Sequence, residues 1–544
     1  MMRRLILALL ALMTAAPAQA QKHDTLVVGI AQSIGDFHPF LTTALVVNYI
    51  LNTSRRLMTG VDNKGAVFCR LCTEVPTLAN GRARMVKRPD GGETMDVTFT
   101  LRPDLKWADG TQITAHDFAF GFEVGQAFQP SPTIAGVETP DQATVLVHLK
   151  TTRYDFDRSA PAPLPAHVEE PLYRSAKDPL DYGNKSAFNR APETAGLWNG
   201  PYRVTKFVAG ESVTIEPNAY WTGTKPGFKQ ITFRLIENTS ALQANQLAGD
   251  VDLTGETALT LDQALAMEKT AKGKFDITAL PSLGVQQLYV RQDVGPVADK
   301  RVRQAIAMAI DRKTLVAKLF DGRVPVANSV LTEGEFGYDP KVKTWPYDPA
   351  AAKALLEQAG WKPGPDGIRV DAAGARLSID IAGATGNRLN DLLEQVLQSQ
   401  LKSIGIELVI NNVPTRVLIG ETLRYRKYRG LALLSYTPFA DTVPWVRFHS
   451  SQIPSEANNW IGSNTFGINN PALDAALTGA MTALDPVERK RQWHDILSIM
   501  AEELPVIPLY VLTSPIVAPT WLTGVVPAPV PGLSTNWIED WRVK

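Results

Sequence analysis

The sequence of 544 residues predicts an α/β fold. Three observations support this prediction. Short apolar or alternating stretches, which are typical of strands, recur along the chain. Amphipathic stretches with helix start and stop signals lie between them. The length suggests about three domains at roughly 100–200 residues each, which is enough to bury a sizeable core.

The first predicted strand is residues 25–30, Thr-Leu-Val-Val-Gly-Ile, whose nearly continuous apolar run is typical of a buried strand. Residues 97–101 alternate between apolar and polar side chains, which predicts a strand with one buried face. Further strands are predicted at residues 213–217, 230–236 and 504–519. The last stretch contains four prolines, so we expect extended pieces there and not a membrane span.

The clearest predicted helix runs from Asp299 to Phe320, with an apolar stripe along one face and Gly322 as its stop. Another helix begins at Asp348-Pro349, an N-cap followed by a first-turn proline, and ends at Gly360. Further helices are predicted at residues 114–125 and 389–401, and after the Asn470-Pro471 and Asp485-Pro486 pairs. Because strands and helices are interspersed throughout, the fold class is α/β.

The N-terminus has the pattern of a signal peptide. Residues 1–4 are short and basic, residues 5–16 are apolar, and Ala18-Gln19-Ala20 fits the small-x-small cleavage pattern. The apolar run is shorter than the ~20 residues that span a bilayer, and Pro17 argues against the alternative of an uncleaved anchor helix. We therefore expect residues 1–20 to be removed. Without a cysteine at the cleavage point to carry a lipid anchor, the periplasm is the expected location.

Composition and charge exclude several classes of protein. Lys+Arg and Asp+Glu both number 55, so a net charge of zero gives no field that favours nucleic acid or an anionic membrane. Hydrophobic residues make up 44% and charged residues 20%, which excludes a disordered chain. Neither a His-x-x-x-His pair nor a phosphate-binding glycine loop occurs. We therefore predict no metal site, no cofactor and no nucleic-acid partner.

One segment permits an enzymatic alternative. Residues 31–35, Ala-Gln-Ser-Ile-Gly, follow the first strand and resemble the nucleophile elbow of serine hydrolases with one substitution. Hydrolysis would also require an acid and a histidine beside Ser33. The competing interpretation is an ordinary loop after a strand.

The two cysteines, Cys69 and Cys72, are separated by two residues. In an exported protein we expect them to form a local structural disulfide. Thiol–disulfide exchange is an alternative, since a Cys-x-x-Cys pair can lower the pKa of a thiol. A metal site is a third interpretation. No thioredoxin-like pattern surrounds the pair, and no third metal ligand is apparent.

A series of motifs follows in order along nearly the whole mature chain. The most recognisable stretch runs from Phe99 to Gly110, Phe-Thr-Leu-Arg-Pro-Asp-Leu-Lys-Trp-Ala-Asp-Gly. The other motifs are Ile113–Asp117, Gly200–Arg203, Asn218–Trp221, Leu247–Asp252, Asp299–Arg312, Asp348–Trp361, Asn470–Asp474 and Leu504–Pro508. Together they resemble the extracellular solute-binding proteins of the peptide/nickel/opine class (family 5), which supply ABC importers.

The resemblance implies a two-lobed periplasmic-binding-protein fold, type II-like, with an extra small domain on the first lobe. The chain is expected to cross between the lobes near residues 282–287 and 503–508. The implied segments are the signal peptide at 1–20, lobe I at 21–55, 185–285 and 505–544, the small domain at 56–184, and lobe II at 286–504.

The same resemblance implies a binding protein and not an enzyme. It implies capture of a short peptide or similar small solute in a cleft between the lobes, and delivery to the permease of an ABC importer in the inner membrane. A nickel chelate, an opine or a sugar is the alternative cargo on the same fold. We expect a monomer that does not itself span the membrane.

The predicted ligand-binding loop is residues 436–445, which an apolar strand precedes. In peptide-binding relatives the matching loop carries an acid that pairs with the α-ammonium of the peptide. Asp441 matches that acid, and Thr442 stands where the relatives have proline. Tyr436 and Trp445 can add cation–π or stacking contacts. Alternatively, Asp441 caps the backbone of its own loop.

Four further residues are candidate ligand contacts. His38 lies in the loop after the first strand, while Tyr289 and Arg291 lie on the expected hinge strand. Arg291 could pair bidentately with a ligand carboxylate if it faces the cleft, or it could be an outward-facing surface residue. His449 follows the ligand-binding loop and could reach the ligand or a metal chelate.

Overall fold

The computed structural model describes residues 23–41, 45–62, 65–89, 92–128, 130–256, 258–438, 442–526 and 533–544. The predicted signal peptide lies outside the described residues. The strands are β1 (Thr25–Ile30), β2 (Thr59–Val61), β3 (Val67–Cys69), β4 (Ala83–Lys87), β5 (Glu93–Thr100), β6 (Ile134–Glu138), β7 (Thr144–Leu149), β8 (Tyr202–Val208), β9 (Ser212–Pro217), β10 (Gln230–Leu235), β11 (Leu253–Thr254), β12 (Phe275–Val290), β13 (Lys362–Pro363), β14 (Arg369–Val370), β15 (Ser378–Ala382), β16 (Glu407–Ile410), β17 (Leu431–Tyr436), β18 (Val506–Pro519), β19 (Leu522–Thr523) and β20 (Arg542–Val543). The helices are α1 (Leu45–Ser54), α2 (Ala115–Phe128), α3 (Ala166–Arg174), α4 (Pro179–Lys185), α5 (Ala187–Arg190), α6 (Thr239–Ala248), α7 (Leu261–Thr270), α8 (Lys300–Ala309), α9 (Arg312–Phe320), α10 (Pro349–Gln358), α11 (Arg388–Lys402), α12 (Thr415–Val417), α13 (Trp445–Phe448), α14 (Pro471–Thr482) and α15 (Pro486–Glu503).

A ten-stranded sheet runs through the molecule in the order β16-β15-β17-β12-β18-β11-β1-β10-β9-β8. Its two long central strands, β12 and β18, pair antiparallel. The C-terminal part of β12 pairs with β17, and the C-terminal part of β18 pairs with β11. The two strands therefore join two lobes. Lobe I lies on the side of β8–β11 with β1, and lobe II lies on the side of β15–β17.

The passage between the lobes is marked by a break in the pairing of β12 with β18. Pro281 pairs with Thr513, and Val285 pairs with Val511. Residues 282–284 lie between these pairs and have no register partner on β18. We therefore place the pivot between the lobes at this three-residue break, which lies within the first predicted crossing.

We place the second crossing at residues 511–513, opposite the break, where the prediction has residues 503–508. Pro508 instead pairs with Gln287 at a point where the register of the two strands shifts. Proline has no N–H to donate, so a bulge is a position that tolerates it. Pro508 thus marks an irregularity inside lobe II and not the passage itself.

Each lobe buries its own hydrophobic core. The core of lobe I gathers side chains from β1, β10 and the C-terminal segment, among them Val28, Phe233 and Trp541. The core of lobe II gathers side chains from α8, α11 and β17, among them Ile306, Leu397 and Leu433. Among the described residues, no helix is long and apolar enough to cross a bilayer.

A small domain carries a separate four-stranded antiparallel sheet in the order β4-β5-β7-β6. Phe99 and Phe118 are fully buried in its core. The segment that follows this sheet also contacts lobe II. The backbone N–H of Tyr154 donates to the carbonyl of Met481 at 3.3 Å, and the guanidinium of Arg489 lies 4.1 Å from the centroid of the Tyr154 ring. The small domain therefore bridges the two lobes at one side.

The prediction of a single helix from Asp299 to Phe320 is wrong. The segment forms two helices, α8 and α9, because Ile310 takes an extended conformation at φ −91° and ψ 108°. Asp311 then caps the second helix, since its carboxylate accepts a hydrogen bond from the backbone N–H of Thr314 at 3.0 Å. Apolar residues of both helices lie in the core of lobe II, so the apolar pattern of the sequence continues through the break and conceals it.

The C-terminal segment returns to lobe I and completes its core. The expected extended stretch within residues 504–519 is confirmed as β18. Trp541 beyond it is fully buried. Arg56, which is 1% exposed, pairs with Glu539 at 2.6 Å and so ties the end of α1 to this segment. Lobe I is therefore complete only when the last residues of the chain are in place.

Candidate functional site

The predicted ligand-binding loop begins at the junction of the two lobes. β17 ends at Tyr436, which pairs with Val285 at the end of the break in β12. The next residue, Thr437, approaches Gly284 so closely that a Cβ at Gly284 would lie 2.5 Å from its Oγ1. The loop thus leaves the sheet at the pivot, where a ligand held between the lobes would lie.

The central acid of the prediction, Asp441, lies outside the described residues, together with Phe439 and Ala440. On either side of this gap, Pro438 is buried and Thr442 is exposed. The role of Asp441 as an ammonium anchor therefore stays a prediction.

The structure brings two predicted residues together around an arginine that the sequence analysis did not select. Arg447 lies on the short helix α13 and is 5% exposed. Its guanidinium carbon lies 3.6 Å from the ring centroid of Tyr436 and 4.8 Å from that of Tyr289. Phe448 and Phe466 complete this group, at 5.3 Å and 5.5 Å from the guanidinium carbon. We call these five residues the Arg447 cluster.

A sequence signal for Arg447 was present. The residue stands between Val446 and Phe448, six positions after Asp441, in a segment that is otherwise apolar or aromatic. A charged residue in such a setting is a candidate functional residue, because an arginine is rarely fully buried unless it has a partner.

The electrostatics of the cluster favour a neutral tyrosine beside a cation. Burial raises the pKa of Tyr289, and Arg447 acts in the opposite direction. The Tyr289 hydroxyl therefore stays protonated at neutral pH and can donate a hydrogen bond. The face of Tyr436 lies against the guanidinium, which is the geometry of a cation–π contact.

Trp445 and His449 form a stacked pair at the edge of this cluster, with ring centroids 4.4 Å apart. Trp445 Nε1 donates to Thr478 Oγ1 at 3.3 Å. His449 Nδ1 lies 2.9 Å from Ser451 Oγ and 3.9 Å from Asp474 Oδ1. Partners within lobe II thus orient both rings. Over the part of the chain that the structure covers, no group of three or more His, Cys, Asp or Glu side chains could hold a metal ion.

Arg291 is placed inside lobe II and not at the junction. The side chain is 6% exposed, and its Nε donates to Asp293 at 2.9 Å. Its Nη1 donates to the backbone carbonyls of Arg426 and Tyr428, the latter at 2.9 Å. The chain itself therefore supplies the acceptors of this guanidinium. We leave Arg291 out of the proposed ligand site.

His38 is likewise an interior residue. It is fully buried in lobe I, and its Nε2 lies 3.2 Å from the Tyr182 hydroxyl. The Tyr182 hydroxyl donates in turn to Glu169 at 2.6 Å. Burial, with Arg55 as a second cause, lowers the pKa of His38 to about 3. A neutral histidine packed among aromatic rings serves the core, so we leave His38 out of the ligand site as well.

We expect His38 to make the protein sensitive to mild acid. The folded protein binds a proton on His38 more weakly than the unfolded chain, whose pKa is about 6.5, so stability is lost as the pH falls from about 6.5 towards about 3. Between pH 7 and pH 5 the loss from this residue is about 2 kcal/mol. Urea unfolding at both pH values should show a smaller drop for His38→Gln than for the wild type. Equal drops in the wild type and in His38→Gln would contradict the assignment.

The two segments that permitted an enzymatic interpretation lie in the loop after β1 and in the small domain. Ser33 is exposed in the loop after β1, and no hydrogen bond connects it to a histidine or carboxylate within the described ranges. Cys69 and Cys72 form a disulfide in the small domain, with their Cα atoms 5.1 Å apart. Both segments lie outside the Arg447 cluster.

The sequence matches known binding proteins over most of its length. A family model for bacterial extracellular solute-binding proteins, family 5 Middle, matches residues 91–446. The oligopeptide-binding protein AppA of Bacillus subtilis is 26% identical over 484 residues, which cover 86% of this chain and 84% of AppA. The periplasmic murein peptide-binding protein MppA of Escherichia coli is 26% identical over 456 residues, which cover 78% of this chain and 79% of MppA.

Solved structures share the architecture. The oligopeptide-binding protein of Thermus thermophilus, complexed with a pentapeptide, is 27% identical, with a TM-score of 0.76 and coverage of 96% of both chains. NikZ of Campylobacter jejuni, in complex with Ni(L-His), has the same fold at 24% identity, with a TM-score of 0.73 and coverage of 95% of this chain and 99% of NikZ. Since the family match extends over more than half of the chain, this protein belongs to family 5 of the bacterial extracellular solute-binding proteins.

Proposed function

We propose that this protein captures a short peptide in a cleft between its lobes and delivers it to the permease of an ABC importer in the inner membrane. The observation that carries the proposal is the similarity to the pentapeptide complex of the Thermus thermophilus protein, which extends over 96% of both chains. AppA and MppA, which are named as oligopeptide- and murein peptide-binding proteins, support the same cargo. The protein works in the periplasm as a monomer, after removal of residues 1–20, and catalyses no reaction.

The fold supports capture by closure. β12 and β18 join the lobes at one pivot, and the small domain contacts lobe II through Tyr154. Hinge closure of two domains around a solute excludes water and creates a surface that exists only when the ligand is bound. Such a surface is what a permease needs in order to distinguish loaded from empty protein.

The cargo class also fits the groups around the junction. A peptide carries an ammonium and a carboxylate, and each loses hydration worth several kcal/mol when it enters a dry site without a partner. Asp441 is the proposed partner of the ammonium. Tyr289, Tyr436 and Trp445 are proposed to contact the peptide through their rings and hydroxyls.

We expect peptide to stabilise the folded protein. A ligand that binds only the native state adds about 2.7 kcal/mol at a hundredfold excess over its dissociation constant. Thermal unfolding in the presence of di- to hexapeptides, opines, sugars and nickel–histidine mixtures measures this effect. The melting temperature should rise with peptide and show little response to the other probes.

The opine, sugar and nickel–histidine probes distinguish the peptide proposal from the alternative cargoes. A rise with an opine, a sugar or the nickel chelate alone would contradict the peptide proposal and assign the alternative cargo on the same fold. Two variants away from the junction, at Ser33 and at the disulfide Cys69–Cys72, offer a further control. Ser33→Ala and the double Cys69→Ser/Cys72→Ser variant should bind peptide as the wild type does, because neither segment belongs to the junction.

A further inference from the structure

Arg447 is a buried cation without a counter-ion among the described residues. None of the ion pairs found there includes it, and its Nη2 is buried without a hydrogen-bond partner. Arg447 has the Tyr289 hydroxyl as a neutral acceptor. The other arginines buried to a similar degree have carboxylates or several carbonyls: Arg56 pairs with Glu539, Arg291 with Asp293, Arg303 with Glu503, Arg369 with Glu357, and Arg312 bonds three backbone carbonyls. A buried charge that lacks a partner is costly to the fold.

The aromatic rings explain how the cluster tolerates this charge. The ring centroids of Tyr436 and Tyr289 lie 3.6 Å and 4.8 Å from the guanidinium carbon. Aromatic faces attract a guanidinium, by about 2 kcal/mol or more when the contact is desolvated. They do not neutralise its charge, and they provide no acceptor for Nη2. The cluster therefore holds a guanidinium ready for an anion that the described residues do not supply.

The position of the cluster indicates where that anion comes from. Tyr436 is the last residue of β17 and pairs with Val285 at the pivot between the lobes. Arg447, in contact with Tyr436, thus lies beside the start of the predicted ligand-binding loop and the passage between the lobes. Outside the described residues two sources of negative charge are left, Asp441 in the same loop and a group that enters between the lobes, and the position of the cluster at the passage favours the second.

We propose that Arg447 binds a carboxylate of the captured solute. This inference rests on the proposed function, solute capture between the lobes. The planar fork of a guanidinium presents two parallel N–H groups that match the two oxygens of a carboxylate. The cluster contains one cation, which balances one carboxylate.

The peptide C-terminus and an acidic side chain can both supply this group, and so can an opine. Arg447 therefore sets a requirement on the chemistry of the cargo, whichever of these solutes it is. Neutral solutes, such as simple sugars, would leave the guanidinium unpaired.

The first test compares stability in the absence of ligand. Arg447→Gln removes a buried charge that has no counter-ion, and with it the ring contacts that only partly offset the cost of burial, so its melting temperature should equal or exceed that of the wild type. Arg312→Gln is the matched control, because Arg312 is also buried in lobe II and hydrogen-bonds to the carbonyls of Pro508, Ala307 and Trp345. That variant should melt at a lower temperature. A structural role for Arg447 would make both variants melt lower.

The second test measures what the protein retains. Wild type, Arg447→Gln, Arg447→Lys and Arg312→Gln are incubated with a library of tri- to pentapeptides with free carboxyl termini, mixed equally with the same library amidated at the C-terminus. Retained peptides are counted by mass spectrometry, separately for sequences with and without Asp or Glu. Wild type should prefer carboxylate-bearing peptides by roughly a hundredfold or more. Arg447→Gln should lose this preference, Arg447→Lys should keep part of it, and Arg312→Gln should keep all of it.

The outcomes separate the inference from the proposed function. A preference for free termini assigns the carboxylate to the peptide C-terminus, and a preference for Asp or Glu whichever terminus is present assigns it to a side chain. Equal preference in wild type and Arg447→Gln would overturn the inference while peptide capture stands. If wild type retains no peptide, the peptide proposal fails, and the same pair of proteins is melted with octopine and with nickel–histidine. The inference is overturned if neither probe raises the melting temperature of wild type more than that of Arg447→Gln.

A further result would place the counter-ion in the chain itself. If Arg447→Gln and Asp441→Asn each lower the melting temperature without ligand and the double variant restores it, the two residues pair with each other. That result would also overturn the inference, because the guanidinium would then be satisfied before any solute enters.

Discussion

Asp441→Asn is expected to weaken the binding of peptides with a free α-ammonium by roughly a hundredfold to several thousandfold. The reason is electrostatic. Removing one member of a buried charge pair costs about 3–5 kcal/mol, because the other charge stays buried without a partner. Asparagine keeps the size and shape of the side chain, so the substitution isolates the charge from packing. Calorimetric titration of the tightest-binding peptide with wild type and variant measures the loss.

The control for this prediction is the same peptide acetylated at its N-terminus. Wild type should discriminate strongly against the acetylated form, and Asp441→Asn should discriminate much less. If both proteins bind the two peptides in the same ratio, Asp441 is not the anchor, and the role belongs to another residue or the cargo has no ammonium.

Trp541→Ala should destabilise the protein by about 3–5 kcal/mol, the usual cost of removing a buried tryptophan side chain. Trp541 is fully buried in the core of lobe I, close to the end of the chain. Its indole N–H is buried without an acceptor in the described structure, so the contribution comes from packing alone. Trp541→Phe should cost less, because it keeps an aromatic ring and removes that N–H. The midpoint of urea unfolding, at unchanged slope, measures both losses.

Val543 provides the matched control. It lies two residues further on and is 41% exposed, so Val543→Ala should change stability by no more than about 0.5 kcal/mol. A midpoint for Trp541→Ala equal to that of Val543→Ala would show that the C-terminal segment does not contribute to the core of lobe I.

The local elements were largely predictable from the sequence, because each has its own pattern. The predicted strand at residues 25–30 is β1, and the prediction at 230–236 differs from β10 by one residue. The predicted single helix from Asp299 failed for a physical reason. Hydrophobic periodicity reports which face is buried, and it continues across Ile310 even though the backbone there is extended.

The candidate site was less predictable, because its residues acquire their roles from partners distant in sequence. Arg291 was a plausible anion site until the fold brought the carbonyls of Arg426 and Tyr428 to its guanidinium. His38 was a plausible contact until the fold enclosed it with Tyr182. The sequence signal for Arg447, a lone charge in an apolar and aromatic segment, did not reveal its role, because the rings that surround it come from other elements of the fold. The position of Tyr436 at the lobe junction stayed a prediction until β17 was seen to pair with β12.

The break between β12 and β18 has a consequence for the kinetics of opening. The ladder is intact on both sides of residues 282–284, and these residues contribute no pairing that a rotation of the lobes would have to disrupt. On β12 the break gives roughly 10 Å of backbone in which to absorb a twist, at about 3.3 Å per residue, while β18 passes it with the single residue Leu512. A rotation centred on the break therefore leaves the paired residues on either side in register, and we expect opening at the microsecond-to-millisecond rate of hinge motions. The residence time of the cargo is then set by the contacts that closure makes, those of the cargo and of Tyr154 with Met481, and not by the backbone that joins the lobes.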